Sequence, residues 1–155
     1  MTGQVGASTD ALDRAVRLSV FRQTAETARV PKPDEIAVAL GRAEPEVEES
    51  LRRLAASRVL VLAPGTANVW LAPPFCAVPS DFRVLVEGRT YWGTCVWDAL
   101  GIPAALHADA TVTARRGESD EKMVLEVRNG ALARGEGIVH FAVPARRWWE
   151  NIAFA

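Results

Sequence analysis

Apolar residues recur at three- and four-residue steps near the start of the chain. Leu12, Val16 and Val20 follow this spacing and predict a first helix, with Asp10 available as its N-cap. The segment that contains Pro31 and Pro33 then excludes helix, because proline lacks a backbone N–H and restricts the residue before it. A break at residues 30–33 is therefore expected.

Two more short helices and a hairpin are predicted before residue 74. Asp34 can cap a helix that ends at Gly41, and Pro45 lies in the first turn of the next helix, which carries Val47, Leu51 and Leu54 on one face. Residues 59–62 and 68–71 are β-rich and flank a turn at residues 63–66. Three helices followed by a hairpin form a winged-helix pattern, which we assign to residues 1–74.

The second half, residues 75–155, alternates between strand and turn signals. A strand, turn and strand begin at Phe82, and a helix of one or two turns is predicted over Cys95–Leu100, where Gly101 and Pro103 would stop it. Further strands are expected at residues 111–113, 123–127 and 138–143, with a turn at Asn129-Gly130. These pieces predict an α+β fold, in which a winged-helix-like lobe precedes a small, mainly antiparallel sheet with short helices.

The charge of the chain does not favour nucleic acid as a partner. Its 155 residues include 18 Lys and Arg against 19 Asp and Glu, giving a net charge of −1 and a pI near 6.1. A DNA-reading helix needs basic side chains, but the third predicted helix opens with four acids: Glu44, Glu46, Glu48 and Glu49. We therefore expect this lobe to have a structural role, with DNA binding as the less favoured alternative.

Two cysteines, Cys76 and Cys95, are too few for a disulfide framework or a structural zinc site. The first ten residues lack the basic and apolar blocks of a secretory signal, and no apolar window is long enough to cross a membrane. We expect a cytoplasmic protein with reduced thiols and no membrane partner. Its oligomeric state cannot be deduced from the sequence.

Candidate chemistry is concentrated at residues 94–98. If Thr94 caps a helix, Cys95 takes the first helical position, and Asp98, three residues on, shares its face. A helix N-terminus stabilises a thiolate, so the pair could bind a soft metal through sulfur and move a proton through oxygen. The alternative is structural: Cys95 as a small buried apolar residue and Asp98 as a first-turn acid. Spacing alone leaves both open.

Other candidate residues carry weaker signals. His107 and His140 have no second imidazole at ligand spacing and are expected on the surface or on a strand face. The pair Trp148-Trp149 is expected to pack as core or lid, because a single basic pair beside it does not make a nucleic-acid groove.

Residues 89–104, RTYWGTCVWDALGIPA, resemble the core of the organomercurial (alkylmercury) lyase family. Residues 74–84 upstream are similar to the same family, as are two segments downstream, 139–141 and 146–152. The winged-helix-like lobe also matches the family's plan. The resemblance implies cleavage of a carbon–mercury bond by protonolysis, with Cys95 as a thiolate ligand of mercury and Asp98 as the proton relay. It implies no organic cofactor and a small organomercurial or other soft-metal ligand.

One element of the family pattern is not found in these residues. In the family a second cysteine follows the tryptophan-rich segment, near Phe154, and the sequence ends at Phe154-Ala155 without it. Either the sequence stops early or this member lacks that ligand, and Cys76 is the other thiol available to mercury. Two hypotheses follow: a lyase or diverged relative that uses Cys95 and Asp98, and a non-catalytic soft-metal binder or winged-helix regulator on the same scaffold.

Overall fold

The computed structural model describes residues 2–116, 121–141, 143–150 and 152, with side chains from Thr9 onward. The chain divides into two compact units, Met1–Val78 and Pro79–Ala155, whereas the boundary predicted from the sequence follows Pro74. The described residues of the first unit form three helices and a three-stranded antiparallel sheet of order β1-β2-β3. These elements are α1 (Thr2–Thr27), α2 (Pro33–Leu40), α3 (Glu44–Ala56), β1 (Val61–Leu62), β2 (Val69–Ala72) and β3 (Phe75–Cys76).

The predicted apolar positions form the core of the first unit. Val16 and Val20 of α1, Ile36 of α2, and Val47 and Leu51 of α3 are fully buried in one cluster. Burying a side chain of this size stabilises the fold by about 1.5–3 kcal/mol, so these positions hold the three helices together. The observed order of three helices and then strands agrees with the sequence pattern, while its assignment as a winged helix stays a prediction.

Two predicted helix starts are wrong. Asp10 lies inside α1, which begins at Thr2, because no proline precedes Pro31 to stop the helix. Asp34 lies in the first turn of α2, because Pro33 takes the first helical position. A backbone N–H at that position would have no partner within the helix, so proline, which lacks one, fits there, and its φ is helical. The N-cap is Lys32, whose backbone N–H donates to Glu35 at 2.7 Å.

An ion pair with an added hydroxyl joins α1 to α3. The Arg53 guanidinium donates to both carboxylate oxygens of Asp13, at 2.6 Å and 3.0 Å, and the Ser50 hydroxyl donates to the same carboxylate at 2.6 Å. The Asp13 side chain is only 19% exposed. The hydrogen bond from Arg53 is the main cause that lowers the pKa of Asp13 below its ordinary value, against the opposing effect of burial.

The described part of the second unit is a five-stranded antiparallel sheet with one α-helix. The strand order is β5-β4-β6-β7-β8, and the helix follows β5 directly. Together with the first unit, this confirms the predicted α+β class. The elements are β4 (Phe82–Val86), β5 (Arg89–Gly93), α4 (Val96–Leu106), β6 (Ala110–Arg115), β7 (Lys122–Arg128), β8 (Ala131–Arg134) and a 3₁₀ helix at Ala145–Glu150.

The register of this sheet places buried side chains of neighbouring strands opposite one another. Val84 pairs with Tyr91 on one side and with Val112 on the other, and Val112 pairs with Leu125. All four are nearly or fully buried, and α4 contacts β4, β5 and β6. Since side chains alternate between the two faces of a strand, a single apolar face supports the helix that carries the candidate site.

Two predictions for the second unit are wrong. The helix does not stop at Gly101 or Pro103 but continues to Leu106, because Ile102 and Pro103 are buried and packing outweighs the local helix-breaking tendency. The strand predicted at residues 138–143 is not found in the described part of that segment. The return strand is β8, which begins directly after the Asn129-Gly130 turn, so the pairing with β7 is complete before residue 138.

Length alone does not make α1 a membrane segment. It spans 26 residues, but charged residues recur along it. Among the described residues, no helix combines the length and hydropathy that a membrane crossing requires.

We predict that Asp13→Asn lowers the free energy of unfolding of the first unit by about 1–2 kcal/mol at pH 7, because it removes a charge-assisted bond. The loss is measured by urea unfolding, with the exposed Asp10→Asn on the same helix as the control.

The same pair of proteins gives a test by pH. The lowered pKa of Asp13 stabilises the fold above the ordinary aspartate pKa of about 3.9, and this contribution disappears as the pH falls below that value. The difference between native protein and Asp13→Asn should therefore shrink below about pH 4. A difference that is absent at pH 7, or constant with pH, would contradict the role of this ion pair.

Candidate functional site

The candidate site lies where β5 passes into α4. The strand ends at Gly93, Thr94 follows, and Cys95 has an extended backbone with φ −148° and ψ 176°. Cys95 is therefore the N-cap residue, and Val96 is the first residue with helical geometry. The predicted positions, Thr94 at the cap and Cys95 as the first helical residue, are therefore each wrong by one residue.

Gly93 allows the start of the helix to approach the strand. A Cβ on this residue would lie 2.8 Å from the Ala99 backbone nitrogen, closer than real Cβ atoms come to their neighbours, and in tight contact, at 3.1 Å, with the Asp98 Cβ. The Ser80 hydroxyl donates to the Gly93 carbonyl at 2.6 Å and accepts from the Phe82 N–H at 3.0 Å. The junction is thus fixed by the hydrogen bonds of Ser80 beside the strand and by the close packing of Gly93 against the start of α4.

Asp98 occupies the third helical position and reaches back toward the strand. Its Oδ2 accepts a short hydrogen bond from the Thr94 hydroxyl and a longer one, at 3.4 Å, from the Thr94 backbone N–H. Both donors belong to the residue before the N-cap. The carboxylate is therefore held across the turn that carries Cys95, and both side chains are half-buried at the same helix end.

The environment of Cys95 favours the thiol over the thiolate. Burial is the largest cause that raises the pKa of Cys95, and the negative charge of Asp98 raises it further. This pKa is lowered by the backbone N–H groups of Asp98 and Trp97 and by the Thr94 hydroxyl. In the described start of α4, the sulfur does not cap the helix through a side-chain hydrogen bond. The stabilisation of a thiolate expected from the helix N-terminus is therefore outweighed by burial.

Cys76 lies in a different unit from Cys95. It is on β3, opposite Leu71, and is 7% exposed. Both cysteines are thiols, with no disulfide between them. A role for Cys76 as a second mercury ligand stays a prediction, and the position near Phe154 where the family carries its second cysteine lies outside the described residues.

Aromatic side chains lie beside the start of α4. Trp97 is 58% exposed and meets the Phe141 ring edge-on, with centroids 5.9 Å apart. Phe141 contacts Trp148 at 5.0 Å, and the Trp148 indole N–H donates to the Val143 carbonyl at 3.0 Å. Trp148 thus packs against neighbouring aromatic and backbone groups, consistent with the packing role predicted for it, while the contact between Trp97 and Phe141 has no signal in sequence spacing.

His107 lies at the end of α4 that is opposite to this junction. His107 ends α4 in the left-handed conformation and borders two clefts of about 560 and 650 Å³ at the opposite end of the helix. His107 and His140 are both exposed, in line with the predicted surface position. Within the residues that the structure describes, no group of three or more His, Cys, Asp and Glu side chains is placed to hold a metal ion.

Comparisons with known proteins point to one family. A family model described as alkylmercury lyase matches residues 75–155, just over half of the chain. Among solved structures, the chain is similar to one titled "Crystal structure of the mercury-bound form of MerB2", with a TM-score of 0.60 and 20% identity. That match covers 79% of this chain and 66% of the other, so the chain spans just under two thirds of that protein. At this identity the likeness shows the fold. No curated protein matches the chain.

We predict that Cys95 reacts slowly with iodoacetamide at neutral pH, because its raised pKa leaves little thiolate. Followed by peptide mapping, alkylation of Cys95 should keep accelerating above the ordinary thiol pKa of about 8.5. Asp98→Asn should move the midpoint to lower pH, because it removes a negative charge that raises the pKa. A midpoint below about 8.5 in the native protein would refute this description.

A second prediction concerns the close approach at Gly93. Gly93→Ala should lower the free energy of unfolding of the second unit by about 1–3 kcal/mol, because the methyl group collides with the α4 backbone. It should also shift the NMR signals of residues 95–99. Gly130→Ala is the control: nothing lies within 4 Å of its added Cβ, so only backbone strain is expected and the α4 signals should stay in place. Unchanged α4 signals in Gly93→Ala would show that the approach is not tight.

Proposed function

The chain belongs to the alkylmercury lyase family, and from this premise we propose that it cleaves the carbon–mercury bond of organomercurials by protonolysis, with Cys95 and Asp98 as the reacting groups. The observation that carries the proposal is the arrangement of these two side chains at the start of α4, inside the segment that matches the family. A sulfur that binds mercury and a carboxylate that handles a proton are thereby held at one helix end.

The first step binds mercury to sulfur. Mercury is a soft metal and prefers thiolate ligands, so Cys95 displaces the weaker ligand X from R–Hg–X. Before this step burial and the Asp98 charge keep the proton on the thiol. Formation of the S–Hg bond releases that proton, and the Asp98 carboxylate beside it accepts it. The products are Cys95–S–Hg–R, a protonated Asp98 and X⁻.

The second step breaks the carbon–mercury bond. Asp98 returns the proton to the carbon, which keeps both electrons of the C–Hg bond and leaves as the hydrocarbon R–H. Hg(II) stays on the Cys95 sulfur, and Asp98 is again a carboxylate. The cycle consumes one R–Hg–X and one proton and yields R–H, Hg(II) and X⁻, without any redox change.

The Hg(II) product needs a second sulfur for release. In this proposal a small thiol from solution supplies it, and the Cys76 thiol is the alternative within these 155 residues. The two sources predict different results for Cys76→Ser: with a solution thiol, turnover is unchanged in excess thiol, and with Cys76 it falls. Mercury enters this account only as substrate and product.

Regulation through DNA is the competing function of the first unit, and the contacts of α3 do not favour it. Arg52 donates to Glu48 at 2.9 Å and Arg53 is held by Asp13, so both basic side chains of the helix are engaged within the protein. The remaining charges at its start are acidic, which opposes phosphate contact.

We predict that the chain releases benzene from phenylmercuric acetate in the presence of excess thiol, measured by gas chromatography. Cys95→Ser and Asp98→Asn should each slow release at least about 100-fold, because each removes a group that reacts directly. Thr113→Val, in the middle of β6, is the control and should retain the native rate.

Two results would contradict the lyase proposal. Uptake of one mercurial per chain through Cys95 without benzene would leave a non-catalytic binder. Benzene release that persists in Cys95→Ser and Asp98→Asn would place the chemistry elsewhere. A salt-dependent mobility shift on mixed DNA duplexes would favour the regulator instead.

A further inference from the structure

We propose that Thr94 is the positioning residue for Asp98: its hydroxyl and backbone N–H hold Oδ2 and so fix Oδ1 as the oxygen that exchanges the proton. This inference rests on the proposed function, because it assigns how the carboxyl of that same site is aimed. It concerns a residue that does not itself touch mercury or carbon in the proposed steps.

The position of Thr94 is unusual for a helix cap. In a capping box the N-cap side chain and the third helical residue bond to each other's backbone. Here the third residue, Asp98, bypasses the N-cap Cys95 and bonds to the residue before it. The bonding is displaced outward by one residue, so that it spans the turn that carries Cys95.

Two independent constraints fix the carboxylate. Thr94 holds Oδ2 from the side of the strand, while the backbone of Gly93 lies against the Asp98 Cβ and the Ala99 nitrogen. Thr94 is itself held, because its neighbour Gly93 accepts a hydrogen bond from Ser80. Oδ1 takes no part in the bonds to Thr94, so it is the oxygen available for proton exchange.

The Thr94 hydroxyl also acts on the other member of the pair. Besides its bond to Asp98, it is one of the groups that lower the pKa of Cys95. Thr94 precedes Cys95 directly in the chain and donates to Asp98, so a change at this residue reaches both reacting groups. A helix cap without a catalytic role would affect only stability.

The test compares Thr94→Val, which keeps the shape and removes the hydroxyl, with Thr94→Ser, which keeps the hydroxyl. For phenylmercuric acetate in excess thiol, Thr94→Val should lower kcat about 100-fold, as expected when a reacting group is misplaced by about 1 Å, and leave KM within about twofold. Thr94→Ser should stay within about threefold of the native kcat. Thr113→Val controls for the same exchange elsewhere in the unit.

A second measurement does not depend on turnover. NMR coupling constants across χ1 of Asp98 should show one rotamer in the native protein and Thr94→Ser, and an average of rotamers in Thr94→Val. A native kcat in Thr94→Val overturns the inference, as does a single Asp98 rotamer in that variant. If the native protein releases no benzene, the proposed function fails and the rotamer measurement alone decides whether Thr94 positions Asp98.

Discussion

The junction between β5 and α4 depends on the absence of a side chain at Gly93. The helix starts so close to the strand that a Cβ would meet the Ala99 nitrogen at 2.8 Å, and this contact sets where the first turn of α4 lies. Cys95 and Asp98 then project from that turn, and Thr94 ties the carboxylate to the strand. Packing of α4 on the sheet, through Ile102 and its neighbours, supplies the rigid support that a precisely placed pair requires.

The environment of Cys95 and Asp98 favours a protonated sulfur, which can supply a proton when its state changes. A helix N-terminus alone would favour a thiolate, but burial and the neighbouring carboxylate raise the pKa of Cys95. In the proposed reaction, the sulfur gives up its proton when a soft metal replaces it. We propose that this proton is released beside the carboxylate that delivers it, so that metal binding and proton supply are coupled in one place.

Local patterns in the sequence predicted much of the fold, and packing determined the rest. The periodicity of Val16, Val20 and Leu51 gave the helices of the first unit, and the motif around Cys95 and Asp98 located the candidate site. The extension of α4 through Gly101 and Pro103 was missed, because burial against the sheet overrides propensity. The outward bond from Asp98 to Thr94 was missed as well, since spacing assigns residues to a helix face but does not determine which donor a carboxylate chooses. The glycine at position 93, between the predicted strand and the predicted helix, is the signal in the sequence that indicates a close approach of α4 to β5.

In the proposed reaction, one proton passes through Asp98 to the carbon of a mercurial bound at Cys95. Its most direct test is a single turnover of phenylmercuric acetate in D₂O, with the isotopic content of the benzene measured by mass spectrometry. We expect the native protein to form benzene that carries one deuterium, and Asp98→Asn to form it at least about 100-fold more slowly. Mercury bound at Cys95 with no benzene released, or benzene formed at the native rate in Asp98→Asn, would contradict it.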